Sequence, residues 1–495
     1  MNVLVSGLKD VKDIEGIVLP YFEGEKKSYS EIAVLKGKNI PFQLLEDKEL
    51  FKGAKDQKHG LSFVETDRIV EVVLVGLGEK DKFDLKVLRK AVAKGYKALK
   101  AKKVESLAVV LNQVAEETHC QKGLTRAAAE AVIMADYKFE DFKSDKKDGT
   151  IKEVALLVDE VEEKHKEGCE EGIILGNANL IARKLTNEPA NVLTPEELAR
   201  RATAIGSAKG FEVEVFGLDK IAELGMEAYL SVAKASTNEP RFIVMRYKGN
   251  PEGETLGFVG KGLTYDAGGL SIKPTKGMET MKDDMSGSSA VIGAMAAISE
   301  AKLNVNVTAV VAACENVIAG NSYKPGDIIN SMGGKTIYIG NTDAEGRLTL
   351  IDAVHYIINN EKVAKVVDVA TLTGAAIHCV GYAATAAVSN NDEFYLEVEK
   401  SFKKTGENIW RMPIFDEYKP LLKHPEADLT NTAGSPGTVT AGMFIGEFVG
   451  DVPWVHLDIA GSSWVSIERV SDLFSRGGAG VAARPLYFLA KHMSK

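Results

Sequence analysis

The chain has 495 residues, of which 45% are hydrophobic, 26% charged and 7% aromatic, the balance of an ordinary globular protein and not of a disordered or collagen-like one. Lys and Arg number 61 against 70 Asp and Glu, a net charge of -9, which argues against nucleic-acid binding as the main role. At about 150 residues per domain the length predicts two to four domains, and no apolar run approaches the roughly 18 to 20 residues of a membrane span.

Residues 1–7 lack the basic segment, apolar run and cleavage site of a secretory leader, so none is expected. Residues 70–77 read as a buried strand closed by Gly76-Leu77-Gly78. A helix is predicted over 84–102, with apolar positions Leu85, Leu88, Ala91, Val92 and Tyr96 at helical spacing. Further strands fall at 107–111 and 154–158, the latter preceded by a Lys- and Asp-rich loop over 143–152. This alternation implies a mostly parallel sheet with helices on its faces.

From 159 to 185 the pattern is charged, then apolar at Ile173, Ile174, Leu175, Ala178, Leu180 and Ile181, predicting a long helix that joins two domains near Val161. Thr194-Pro195 starts another helix, with threonine as cap and proline at the first helical position. Strands then recur at 241–247, 257–260, 305–312, 336–339, 363–370 and 454–459, with helices at 286–301 and 348–359. The sequon Asn306-Val307-Thr308 lies in one of these strands and is read as chance. The expected fold class is α/β in two domains. A smaller α/β domain covers 1–160, a linker helix 161–186, and a larger α/β domain 187–495 carries a mixed, mostly parallel central sheet and the chemistry. Cys120, Cys169, Cys314 and Cys379 form no C-x-x-C pair and read as buried free thiols in a reducing, cytoplasmic compartment.

Two glycine-rich clusters hold the acidic residues of interest, and ligand sites in open α/β sheets form at strand carboxyl ends. The first runs Gly260-Lys261-Gly262, Asp266, Gly268-Gly269, Ser271-Ile272-Lys273-Pro274 and Met281 to Ser286; the second is Asn341-Thr342-Asp343-Ala344-Glu345-Gly346-Arg347-Leu348. In an extended loop side chains two apart share a side, so Asp343, Glu345 and Arg347 are expected to converge, with Asp266 and Asp284 joining from the first cluster. Carboxylates gathered in a buried place need cations to neutralise them. Two divalent metals bridged by carboxylates answer that need and make a hydrolytic site. Lys261 and Lys273 fit as well, one as an amine ligand and one as an oxyanion stabiliser. Plainer readings stand beside this one. Thr342-x-x-Glu345 is also a capping-box pattern, Asp283 or Asp284 could cap the next helix, and Gly260-Lys261-Gly262 faintly suggests a phosphate loop. The eight histidines offer no H-E-x-x-H; His355 and His456 read as structural.

Asn341 to Leu348, NTDAEGRL, resembles the signature octapeptide of the leucyl (cytosol) aminopeptidases. The clusters around Lys261, Asp266, Lys273, Met281 and Asp284 follow that family's order and spacing. Segments beginning at Asn187, Ala370 and His456 resemble its catalytic domain, so the likeness spans about 187 to the C-terminus. The resemblance implies a two-metal exopeptidase in which Lys261, Asp266, Asp284, Asp343 and Glu345 hold two zinc or manganese ions. It gives Lys273 to the scissile carbonyl and Arg347 to a bicarbonate that shuttles a proton. It places Asn341, Met281, Thr371 and Gly374 along the substrate pocket. It further implies peptide substrates with a free N-terminus, attack by a metal-bridging water, a homohexamer, and an N-terminal domain serving oligomerisation or regulation. Tyr265, Ala267, Ser286, Ser288, Ser289 and Ser435 depart from the commonest family pattern but touch no ligand position. A two-metal phosphoesterase and a DNA-binding role, carried by some bacterial members, are the rival readings. The Lys-rich stretch 94–103 is read against the latter as a solvated helix face.

Overall fold

The computed structural model describes residues 1–11, 13–25, 32–115, 121–145 and 151–494; Cys120 and the middle of the 143–152 loop lie outside them. The chain forms two compact units, residues 1–177 with 469–475, and residues 178–468 with 476–495.

In the first unit six strands, β1 (Asn2–Gly7), β2 (Gly16–Phe22), β3 (Lys58–Val64), β4 (Ile69–Gly78), β5 (Ser106–Val110) and β6 (Glu153–Val158), form one sheet in the order β1-β6-β5-β2-β4-β3. Every pairing is parallel except that of β3 with β4. The predicted helix is Leu85–Ala101, capped by Asp84, whose side chain accepts from Val87 N at 2.8 Å. Its apolar stripe, Leu88, Val92, Tyr96 and Leu99, is buried. Two of its lysines and the lysine that follows it are paired with carboxylates, Lys94 with Asp56, Lys100 with Asp136 and Lys102 with Glu71. The long helix Glu163–Asn187 belongs to the first unit up to Asn177 and to the second from Ala178.

The second unit adds β7 (Glu212–Phe216), β8 (Arg241–Lys248), β9 (Thr255–Asp266), β10 (Asn306–Asn316), the short β11 (Ile328–Ile329) and β12 (Ile337–Tyr338), β13 (Lys365–Ala370), β14 (Thr385–Ser389), β15 (Ile409–Arg411), β16 (Leu429–Thr430) and β17 (Trp454–Asp458). Eight of them make the central sheet, β15-β14-β17-β13-β9-β10-β8-β7; β11, β12 and β16 form a small separate sheet. The four middle strands, β17, β13, β9 and β10, run parallel. They are apolar and buried almost throughout, as strands covered on both faces must be. The helix Ser286–Glu300 packs over β9 and β13, and Gly346–Asn359 over β9 and β10.

Strand β9 is longer than its sequence suggests. The glycines that read as a turn lie within it because the backbone needs their missing side chains: a Cβ on Gly260 would stand 2.7 Å from Ser288 Cα. That placement removes the phosphate-loop reading of Gly260-Lys261-Gly262. The 336–339 strand shrinks to the two residues of β12. Among the described residues no helix is long and apolar enough to cross a membrane. Of the thiols described, Cys169 and Cys314 are buried as expected, whereas Cys379 is exposed.

Candidate metal centre

The site lies at the carboxyl ends of the central parallel strands, and strand register explains who meets whom. Lys261 stands opposite Ala312 of β10, while β13 ends at Ala370 just past the Val369–Gly260 pairing. The residue leaving β13, Thr371, is therefore beside Lys261, and its carbonyl accepts from Lys261 Nζ at 3.0 Å. Lys261 and Asp266 are an odd number of positions apart, so a regular strand would aim them at opposite faces. The pairing of β9 with β10 slips at Thr264, where Cys314 faces Leu263 but Glu315 faces Tyr265. This bulge resets the alternation, as bulges beside functional sites do, and turns Asp266 to Lys261's side.

Beyond Asp266 the chain folds back through Gly268 and Gly269, both at positive φ. A Cβ on Gly268 would meet Ser271 O at 2.6 Å and Asp343 Oδ1 at 2.9 Å, so only glycine fits there. Asp284 comes from the 3₁₀ turn Met281–Met285. Ser286 and Ser288, departures from the family pattern, donate to Asp283 O and Met285 O and tie that turn to the following helix.

The second cluster is a compact turn and not an extended loop. Asn341 Oδ1 accepts from Asp343 N at 2.8 Å, and Glu345 already has helical backbone angles at the start of Gly346–Asn359. Asp343 and Glu345 still converge, and with Asp266 they can bring three ligand atoms within 4.8 Å of one another. Arg347 lies one step into the helix, where its Nη1 donates to Asn431 O at 2.8 Å. The capping-box alternative is not realised: Glu345 makes no side-chain cap. The Thr342 hydroxyl donates to Gly268 O at 2.7 Å and accepts from Ser271 N at 2.8 Å, binding the two clusters together. Neither does Asp283 or Asp284 cap the helix Ser286–Glu300.

Four carboxylates, Asp266, Asp284, Asp343 and Glu345, face two ammonium groups. Lys261 Nζ is 2.7 Å from Asp284 Oδ1 and 2.9 Å from Glu345 Oε1; Lys273 Nζ is 2.8 Å from Asp266 Oδ2 and 2.5 Å from Asp343 Oδ1. Burial lowers the pKa of Lys261, but Asp284, Glu345 and Asp266 outweigh it and hold it above the ordinary value. Lys273 is raised in the same way, chiefly by Asp266 and Glu345 against its own burial. Burial pushes Asp266, Asp284 and Asp343 upward, with the lysines opposing it. Arg347 is brought down to about 10 by burial, against Glu345 and Asp458.

Asp284 Oδ2 and Glu345 Oε2 are buried with no hydrogen-bond partner among the described residues. Orphaned carboxylate oxygens in a place with surplus negative charge are what hard divalent cations take, so the residues present fit metal ions. Of the expected pocket positions, Met281 and Thr371 are half-buried and Gly374 is exposed. Thr371 Oγ1 donates to Asp284 Oδ1 at 2.8 Å.

Sequence reasoning missed the residues that hold this arrangement from a distance. Asn316 Nδ2 donates to Asp266 Oδ1 at 2.8 Å and to Thr342 O at 3.0 Å. Asn431 Oδ1 accepts from Gly340 N at 2.8 Å while its Nδ2 donates to Asn341 O at 2.7 Å. Each is an asparagine with no local motif around it; Asn316 could have been noticed only as the polar end of an otherwise apolar strand.

The catalytic-domain model of the Cytosol aminopeptidase family matches residues 180–487, and the N-terminal-domain model of the same family matches residues 18–146. A probable cytosol aminopeptidase of Clostridium perfringens is 44% identical, with all of both chains covered. One from Treponema denticola is 45% identical over 90% of this chain and 93% of its own. Among solved structures, the bottromycin maturation enzyme BotP in complex with Mn superposes with a TM-score of 0.87 at 27% identity, covering 98% of this chain and 100% of that one. With both domain models matched in order and full-length relatives of one kind, the chain belongs to the cytosol aminopeptidase family and is a metal-dependent aminopeptidase hydrolase.

Proposed function

We propose that the protein removes the N-terminal residue, leucine among others, from peptides with a free amino terminus, using two divalent cations, Mn²⁺ or Zn²⁺. The observation that carries this reading is the surplus of buried carboxylates, with orphaned oxygens on Asp284 and Glu345. Lys261, as a neutral amine once the cations replace its proton, would hold the ions together with Asp266, Asp284, Asp343 and Glu345. Bound there, the ions supply Lewis acidity, an activated water and an anchor for the substrate's α-amine.

The protein's own groups do the rest. Lys273 keeps its proton between Asp266 and Asp343 and turns an N–H toward the carbonyl oxygen as negative charge develops. Arg347, buried and fixed through Nη1 to Asn431 O, has an Nε with no partner among the described residues. That nitrogen is available to an anion, bicarbonate in our reading, which relays a proton to the leaving amine. Met281, Asn341, Thr371 and Gly374 border the substrate. Asn341 acts through the turn that it closes on Asp343. We read the protein as a cytoplasmic homohexamer, with residues 1–160 serving assembly or regulation and 187–495 catalysis.

Hydrolysis of leucine anilide and of dipeptides, measured with chelator and again after Mn²⁺ or Zn²⁺ is restored, tests the reading. Activity that survives complete chelation, or none under any metal, overturns it. Phosphate release from model esters without amino-acid release would instead favour the phosphoesterase.

A further inference from the structure

Asp458 ends β17, is 1% exposed, and lies opposite Ala370, the last residue of β13. Its carboxylate therefore stands level with the loop that leaves β13 and is bonded to it at several points. Oδ2 accepts the Thr373 hydroxyl at 2.7 Å. Oδ1 accepts the N–H groups of Leu372 at 3.2 Å, Thr373 at 3.4 Å and Ala460 at 3.2 Å. Having donated to Asp458, the Thr373 hydroxyl presents its lone pairs to Ala376 N at 3.1 Å and caps the helix Gly374–Val380. An ionised carboxylate is an acceptor on both oxygens and suits this ring of donors; an amide must turn a donor toward one of them.

The loop so fixed is the one that reaches the metal centre. Its first residue donates from Thr371 Oγ1 to Asp284 Oδ1 and accepts through its carbonyl from Lys261 Nζ. The other candidate ligands are secured elsewhere. Asp266 is held by Gly268 N and Asn316, and the turn bearing Asp343 and Glu345 by Asn341, Thr342 and Asn431. Among the described residues no hydrogen bond joins Asp458 to Asp266, Asp343 or Glu345, and the Lys261–Glu345 pair is what connects the two ends.

We propose that Asp458 is a positioning residue for one half of the metal centre. Through the 371–373 loop it sets the Lys261–Asp284 end directly and reaches the Asp266–Asp343–Glu345 end only through the Lys261–Glu345 pair. The inference rests on the two-ion reading above. Outer partners of metal ligands typically govern affinity by about 10- to 100-fold.

The test uses the full-length protein stripped of metal and titrated with Mn²⁺ by calorimetry, with folding followed by circular dichroism. The variants are Asp458→Ala, Asp458→Asn, Thr373→Val and Thr373→Ser. Two binding steps are expected for the parent. Asp458→Ala should weaken one step by about 10- to 100-fold and the other by clearly less. Asp458→Asn and Thr373→Val should weaken the same step by less, and Thr373→Ser should restore it. If Asp458→Ala does not fold, the other three variants carry the test. A parent with two steps whose folded variants leave both unchanged, or weaken both equally, overturns the inference while sparing the two-ion reading. A parent that takes up a single ion overturns that reading and the inference with it.

Discussion

The two units bury charge in opposite ways. In the first, Arg89 and Glu130 are almost wholly inside, joined at 2.5 Å, and Arg126 links Glu130 to Glu171. Among the described residues two guanidinium groups meet two carboxylates there, a balanced set. In the second, among the described residues, four carboxylates meet two lysines. Burial is comparable, so burial alone does not mark a site. A balanced buried set maintains a fold, because removing one member leaves the other uncompensated. An unbalanced set is stable only if something else supplies the missing charge. The imbalance, more than the acidity, is what points to metal.

Substitutions in each set should separate these two kinds of burial. The largest effect is expected from Asp343→Ala, which takes away a candidate ligand that is partly exposed. Peptide hydrolysis should fall to background while circular dichroism and melting of the metal-free protein stay close to the parent's; full turnover would sink the assignment. Lys273→Met should lower kcat by about 10²- to 10³-fold, the loss typical of one oxyanion donor; a rise in KM alone would show that this lysine only binds substrate. Glu130→Ala should leave kcat/KM of the folded enzyme at the parental value yet cost about 3–5 kcal/mol of stability, the usual consequence of an orphaned buried charge. Denaturant unfolding with an unchanged midpoint would break the comparison on that side. The smallest effect belongs to Asp84→Ala, which removes only a helix cap in the first unit. It should cost about 1 kcal/mol with no change in kinetics.

Much of this could be seen in the sequence, and the parts that could not have identifiable causes. The helix at Leu85–Ala101 and the strands β4, β5 and β6 stand out because each carries a plain period or an unbroken apolar run. Strand β3 does not, since its residues are exposed or half-buried throughout and it carries little pattern. β2 contains Pro20 yet lies between β5 and β4, where proline is normally absent. Strand β9 was shortened by glycines that signal close packing and not a turn. Candidate ligands were legible because charged residues beside glycines at strand ends are uncommon. The slip at Thr264, by contrast, depends on how two strands pair. No inspection of β9 alone reveals it. Asn431 and Asp458 were hidden for a related reason: each acts on residues more than 80 positions away.

The order of strands in the central sheet has a consequence for the protein's synthesis. β17 is the last strand of this sheet to be made but lies between β13 and β14, so on the ribosome both neighbours emerge with a facing edge that has nothing to bond to. At about 5–20 residues per second, the stretch between β14 and β17 leaves that slot open for several seconds. Exposed strand edges during such an interval invite pairing with another chain. The same late arrival brings in Asp458, so the loop beside Lys261 and Asp284 gains its anchor only when the sheet closes. A polypeptide cut short before residue 454 would retain every candidate ligand and still lack a finished sheet on which to mount them.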